Sequence, residues 1–137
     1  MSEPTLIEDI AAQAETDFDS GRTNHLSDLA CAYGGIVASF AAAILAVMKD
    51  GPPPVAVAVV AGVPGLCAAL QRVIDFRGRA EWYFIKAAEL KGIALSLQHE
   101  GLAEAEGSRK YRELTVTMER QWTHMGRGRR AQSGPQD

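Results

Sequence analysis

The sequence LACAYGGIVASFAAAILAVM, Leu29–Met48, contains no charged residue and decides the fold. A mostly apolar run of about 18 residues or more is long enough to cross the hydrocarbon core of a bilayer as a helix. A second apolar run, VAVAVVAGVPGLCAAL, covers Val55–Leu70. The segment KDGPPP at 49–54 separates the two runs, because its glycine and prolines cannot continue a helix. We therefore predict a transmembrane helical hairpin at 26–76, with spans at 28–48 and 55–74.

The alternative interpretation is a buried core hairpin in a soluble all-helical protein. The chain has 137 residues, which is the length of a single domain. A soluble domain of this size rarely buries two helices that are apolar on every side. The sequence thus favours an all-α membrane protein, in which the lipid bilayer is a partner.

Composition and charge narrow the function classes. The formal net charge is −3 and the basic residues are dispersed, so no nucleic-acid partner is expected. Both cysteines, Cys31 and Cys67, lie inside the apolar runs and are interpreted as small packing residues. The stretch before the first run is acidic, which is not typical of a cleaved signal peptide.

The cations that flank the hairpin predict its orientation. Lys49 is the only basic residue of the short loop, whereas Arg22 precedes the first span. The cations that follow the second span are Arg72, Arg77, Arg79, Lys86 and Lys91. Under the positive-inside rule, both termini lie in the cytoplasm. We therefore expect a multi-pass protein of the cell inner membrane.

Small residues recur every four positions in both spans. They are Ala30, Gly34, Ala38, Ala42 and Ala46 in the first span, and Ala61, Gly65 and Ala69 in the second. In a bilayer such rows let helix backbones approach closely. The first span also carries a neighbouring row, Gly35, Ser39 and Ala43, so we predict a homo-oligomer interface at Ala30, Gly34, Ala38, Ala42, Ala61 and Gly65. The alternative is that the rows pack only the two helices of one hairpin.

Gly62 and Pro64 interrupt the middle of the second span and predict a hinge there. A proline inside a helix removes one hydrogen bond and crowds the carbonyl four residues earlier. A tolerated kink without a function is the alternative. No ionisable side chain lies deep in either span, which argues against a proton relay or a charge-lined transport site.

The segments outside the hairpin are predicted to be cytosolic helices. Residues 1–21 are predicted to form an acidic amphipathic helix whose apolar positions are Leu6, Ile10, Ala14 and Phe18. The segment Asp17–Gly21 is predicted to end this helix. We expect the helix to dock against the other cytosolic helices. Residues 77–125 form the main cytosolic helical region, and its first helix continues the second span without a break. That helix has an apolar stripe at Tyr83, Ala87, Leu90, Ala94 and Leu97.

The rest of the cytosolic region contains a turn, a last helix and a tail. Gly101 is predicted to end the preceding helix, and Gly107 with Ser108 to form a turn. The last helix has a stripe at Tyr111, Leu114, Met118, Trp122 and Met125. The tail at 126–137 has no periodicity and is predicted to be disordered.

Two cytosolic motifs carry a family resemblance. RAEWYFIKAAELK, Arg79–Lys91, and YRELTVTMERQW, Tyr111–Trp122, resemble the signature of the SLATT family, small prokaryotic proteins with two transmembrane helices followed by cytosolic helices. The matching positions are Arg79, Trp82, Tyr83, Ala88, Glu89, Leu90, Lys91, Glu119 and Trp122. Gly92 stands where the pattern suggests a second acidic residue. The resemblance implies a pore-forming effector of antiviral defence, associated with a nucleotide-producing or nucleotide-sensing partner.

Catalysis finds no support in the sequence. His25, His99 and His124 lie far apart, without the spacing of a metal site or a catalytic triad. We predict no enzyme, no cofactor and no metal. The function hypothesis is an oligomeric membrane pore or ion channel gated through its cytosolic helices. In it Trp82 and Trp122 are packing anchors, and Glu89 is a polar partner for Arg79 or Lys86 of the same or an adjacent chain. The alternative is a non-conducting membrane anchor or scaffold that presents those helices to a partner.

Overall fold

The computed structural model describes residues 5–48 and 51–132, with side chains as far as residue 123. Its helices are α1 (Leu6–Val47), α2 (Pro54–Ile74), α3 (Phe76–His99) and α4 (Glu104–Gln132). The described residues contain no strand, so the all-α prediction is confirmed. The chain forms two compact units, a bundle unit (Met1–Gly21 and Glu81–Asp137) and a hairpin unit (Arg22–Ala80).

The hairpin unit contains the two apolar helical segments that the sequence predicts. Both α1 and α2 are long and apolar enough to cross a membrane. α2 begins at Pro54, after Pro53, because proline suits the first helical turn, where a backbone N–H has no partner within the helix. After α1, the Gly51 N–H donates to the Met48 carbonyl at 3.3 Å. Lys49, the loop cation used to predict the membrane orientation, lies outside the described residues, and so does Asp50.

The predicted end of the N-terminal helix at Asp17–Gly21 is wrong, because α1 continues unbroken to Val47. The polar residues here bond within the helix, since the hydroxyls of Thr16 and Ser20 donate to the carbonyls of the residues four positions earlier. Gly21 is buried rather than at a helix end. Packing thus outweighs the low helix propensity of this segment.

The predicted continuity of the second span with the next helix is also wrong, because Asp75 separates α2 from α3. Asp75 has φ 49°, in the left-handed region, and its N–H donates to the Gln71 carbonyl at 3.1 Å. Its carboxylate accepts from the Gly78 N–H at 3.0 Å and so caps the start of α3. A Cβ on Gly78 would overlap that carboxylate. Asp75 therefore ends one helix and caps the next.

The bundle unit is built from the first part of α1, most of α3, and α4. Ile10 and Ala14 of α1 form a buried core with Leu90 and Ala94 of α3. Around this core pack Leu6, Ile93, Leu97, Tyr111 and Leu114. These contacts confirm the predicted docking of the N-terminal segment. They also confirm the central part of the predicted apolar stripes of α3 and α4. Met125, at the end of the α4 stripe, lies beyond the described side chains.

The connection from α3 to α4 differs from the prediction in part. Gly101, with φ 68°, follows the end of α3 as predicted, since this conformation strains residues with a side chain. Gly107 and Ser108, predicted to form a turn, lie inside α4. Gly107 is buried, and a Cβ there would lie 2.6 Å from Leu97 Cδ2. This glycine therefore permits the close approach of α4 to α3.

The predicted disorder of the tail is wrong for its first part, because α4 extends to Gln132. Residues 133–137 lie outside the described residues. Two i,i+4 ion pairs form on the exposed side of α4, between Lys110 and Glu106 at 3.8 Å and between Arg109 and Glu113 at 4.0 Å.

Candidate functional site

The α1 and α2 helices of the hairpin unit pack along one seam. Its positions alternate steps of three and four residues, the spacing of a coiled-coil pair, and all are buried or half-buried. The seam residues are Asp28, Cys31, Gly35, Ala38, Ala42 and Leu45 on α1 and Val57, Val60, Pro64, Cys67, Gln71 and Ile74 on α2.

Polar and close contacts fix the register of the seam. The Gln71 side-chain amide donates to the Asp28 backbone carbonyl at 3.1 Å and to its carboxylate at 3.0 Å. The side chains of Cys31 and Cys67 lie close to each other across the seam. A Cβ on Gly35 would lie 3.6 Å from Pro64 Cα. The antiparallel pairing thus has contacts that join specific residues of the two helices.

The predicted row of small residues does not stay on one face. Four residues advance a helix by about 400°, so an every-fourth row drifts about 40° per step. Ala38 and Ala42 consequently lie in the seam, whereas Ala30, Gly34 and Ala46 are exposed. On α2, the predicted Ala61 and Gly65 are exposed as well.

The exposed side of the hairpin unit therefore presents small residues of its own. A Cβ added to Gly34, Gly62 or Gly65 would meet nothing within 4 Å. Ala58 and Ala68 of α2 share the exposed side with Gly65. The seam within one hairpin therefore uses only part of the small-residue surface.

Large apolar side chains also face outward from the hairpin unit. Phe40 is 69% exposed, Val55 74% and Leu66 62%. A water-soluble monomer rarely exposes a contiguous apolar surface above a few hundred Å². The buried-core alternative does not fit these helices, because their apolar residues are largely uncovered.

Pro64, predicted as a hinge with Gly62, lies within a continuous helix. α2 runs through Pro64 from Pro54 to Ile74, and the proline packs against Gly35 of α1. The absence of a side chain at Gly35 leaves room for the Pro64 backbone. The hinge remains a prediction.

The bundle unit contains an aromatic cluster formed by Trp82, Tyr83 and Trp122. The ring centroid of Trp82 lies 4.9 Å from those of Tyr83 and Trp122. The Trp82 indole N–H donates to the Met118 carbonyl at 3.1 Å, which fixes its orientation. Together with Glu119 and Thr123, these rings line an open groove of about 460 Å³. The structure thus brings together four motif residues, which are Trp82, Tyr83, Glu119 and Trp122.

A buried ion pair lies next to this cluster and was not predicted from the sequence. Lys86 Nζ lies 2.9 Å from Asp17 Oδ2, and the Gln13 amide donates to the same oxygen at 3.2 Å. Lys86 also lies 5.3 Å above the Trp82 ring, a cation–π distance. The sequence could have indicated that Asp17 is buried, because Asp17 follows Ile10 and Ala14 on the same helix face, three residues after Ala14.

The remaining motif residues do not join a single site. Within one chain, Lys86 binds Asp17 rather than Glu89. A pair between Glu89 and a residue of an adjacent chain stays a prediction. Glu89 and Lys91 are both exposed on α3. Arg79 is exposed and belongs to the hairpin unit.

Comparison of this chain with known protein families, with curated proteins and with solved structures gives no match. The resemblance to the SLATT family therefore stays a prediction. In the described residues, no group of three or more His, Cys, Asp or Glu side chains could hold a metal ion.

Proposed function

We propose that this chain inserts its hairpin unit into the cell inner membrane, crosses it twice, and assembles into a homo-oligomeric pore. The uncovered apolar surface of α1 and α2 supports the insertion, because lipid covers such a surface without cost. The proposed orientation, with both termini in the cytoplasm, rests on the cation bias of the sequence.

Self-association rests mainly on the exposed glycines of the hairpin unit. Gly34 and Gly65 lie outside the seam and have open space in front of them. Small exposed residues let helices of neighbouring copies approach closely in lipid, where packing replaces the hydrophobic effect. One hairpin supplies two helices, and an aqueous path lined by helices needs several more. Conduction would therefore require several copies.

The gate that we propose acts through α1 rather than through α2 and α3. α1 runs unbroken from Leu6 to Val47 and contributes residues to both units. Asp75, by contrast, interrupts the chain between α2 and α3. A ligand or partner that moves the bundle unit would act on the pore through the continuous helix. The resemblance to SLATT proteins suggests a nucleotide-producing or nucleotide-sensing protein as that partner, in an antiviral effector role.

A non-conducting anchor or scaffold is the second candidate, and the distribution of polar groups favours it. The Gln71 amide and the Asp28 carboxylate bind each other in the seam. The Ser39 hydroxyl donates to the Gly35 carbonyl of its own helix at 2.9 Å. The outward faces consequently offer few polar groups to line a water-filled path.

Ion flux into liposomes separates the two candidates. Purified protein is reconstituted over a range of protein densities, and the release of a trapped dye and of potassium is followed. The pore requires flux that rises steeply with protein density and falls in Gly34→Ile. Phe40→Leu, an exposed conservative change on the same helix, is the control. Tight liposomes at every density would support the anchor.

A further inference from the structure

The outer face of α3 in the bundle unit carries an apolar stripe that none of the described residues covers. Ile85 is 49% exposed and Leu95 47% exposed. Between them lie Ala88 and Gly92, which are also exposed, and a Cβ on Gly92 would meet nothing within 4 Å. The spacing of three, four and three residues is that of a helix that packs along its length against another helix.

This stripe lies opposite the core of the bundle unit. The buried residues of α3 in the same segment are Ala87, Leu90 and Ala94. At 100° per residue, they lie about 120–180° from the centre of the outer stripe. Both faces of α3 are therefore apolar, and only one of them is used within the chain.

Charges on the two margins of the stripe indicate what covers it. Glu89 lies on one margin and Lys91 on the other, each about 80° from the centre of the stripe. Both are exposed, and in the described residues neither forms an ion pair. When two copies of this helix lie side by side in parallel, the Glu89 margin of one faces the Lys91 margin of the next. An antiparallel pair instead brings like charges together.

We propose that the outer stripe of α3 is a contact between copies of this chain, with parallel α3 helices. The inference rests on the proposed function, because insertion into one bilayer with the same orientation brings the bundle units of several copies together on one side of the membrane. The small residues Ala88 and Gly92 let the helices approach, and Ile85 and Leu95 supply the apolar contact. Glu89 of one copy binds Lys91 of its neighbour. The exposed polar residues Glu81 and His99 lie in line with the stripe at its two ends.

The contact is too small to form alone. A stable interface buries about 1,200 Å² or more, and a contact of four residues on one helix buries much less. The hairpin units supply the missing stability, because they hold copies in one membrane and so raise their effective concentration. The stripe then selects the parallel arrangement of the bundle units.

Disulfide crosslinking of the full chain in liposomes tests this contact. In a background with Cys31→Ser and Cys67→Ser, Gly92→Cys is expected to form dimers under mild oxidation. The matched control is Ala105→Cys on the exposed side of α4, which is expected to crosslink weakly. Equal crosslinking at positions 92 and 105 would overturn the proposal. In a second experiment, chains with Ile85→Cys are mixed with chains with Leu95→Cys. Preferential crosslinking between these two kinds of chain would indicate antiparallel helices and would also overturn the proposal.

A charge swap tests the role of the margins. Glu89→Lys or Lys91→Glu alone should reduce the Gly92→Cys dimer at least roughly two- to fivefold, because each replaces the attraction of exposed ion pairs with repulsion between like charges. The double variant Glu89→Lys with Lys91→Glu should restore it. Failure of the double variant to restore the dimer would contradict the proposed pairing. Ion flux and its loss in Gly34→Ile, measured on the same samples, report on the pore separately from the stripe.

Discussion

The ammonium of Lys86 lies 2.9 Å from the carboxylate of Asp17 and joins the first part of α1 to α3 within the bundle unit. The Gln13 amide and the face of the Trp82 ring complete the surroundings of this pair. The contact helps to hold the acidic N-terminal segment in the bundle unit. It also makes the stability of the bundle unit testable.

Breaking this pair should destabilise the protein strongly. Asp17→Ala leaves the Lys86 ammonium buried without its partner, and a loss of roughly 3–5 kcal/mol in the free energy of unfolding is expected. Thermal and denaturant unfolding in detergent, followed by circular dichroism, measures the loss. Glu106→Ala, which breaks an exposed pair on α4, should cost less than about 1 kcal/mol. Equal effects of the two variants would show that the Asp17 pair does not stabilise the bundle.

The two native cysteines report on the register of the hairpin unit. Because their side chains lie close together across the seam, mild oxidation in membranes should crosslink Cys31 to Cys67 within one chain. Proteolysis between the spans followed by mass spectrometry detects the crosslink. Cys31→Ser should abolish it. Persistent free thiols in the unmodified protein, under conditions that oxidise exposed cysteines, would contradict this register of the seam.

Gly34 and Gly35 are neighbours with opposite roles, and substitutions at the two positions should differ. Gly35→Ile places a branched side chain against Pro64, so the seam should open and the Cys31–Cys67 crosslink should fall. Gly34→Ile meets nothing in its own chain, so the crosslink should persist while oligomers are lost.

Gel mobility after chemical crosslinking measures the oligomers of both variants. Gly35→Ala should be tolerated, because its Cβ would make ordinary van der Waals contact with Pro64 at 3.6 Å. If Gly34→Ile retained wild-type oligomers, the exposed glycine row would not be the interface between copies.

The sequence predicted the elements that depend on local pattern and missed those that depend on tertiary partners. The apolar spans and the stripe through Leu90 follow from composition and helical period, and both appear as predicted. The continuity of α1 through Gly21 did not follow, because buried packing there outweighs local propensity. The partner of Lys86 was equally hidden, since Asp17 lies far away in sequence.

The break at Asp75 shows a second limit. Its apolar neighbours favour one long helix, and only the left-handed backbone with its capping carboxylate separates α2 from α3. The small-residue row had a related weakness, because its four-residue period drifts around the helix. Ala42 therefore lies in the seam and Gly34 outside it.

The orientation of the hairpin predicts the accessibility of two engineered thiols. With Cys31 and Cys67 replaced, Asp50→Cys should react with a membrane-impermeant maleimide added to intact cells. Ser133→Cys should react only after the membrane is permeabilised, because the cation bias assigns the C-terminus to the cytoplasm. The opposite labelling pattern would reverse the proposed orientation.

The conductance of purified protein in a planar lipid bilayer tests the proposed pore most directly. We expect discrete conductance steps at high protein density, and we expect them to become rare in Gly34→Ile. Trp82→Ala should change the fraction of time that the pore is open, because the Trp82 indole is hydrogen-bonded to the Met118 carbonyl in the bundle unit. The contradicting result is the absence of conductance at every protein density and voltage and with added nucleotides, in a bilayer where crosslinking shows oligomers. This result would exclude the pore and support the non-conducting anchor.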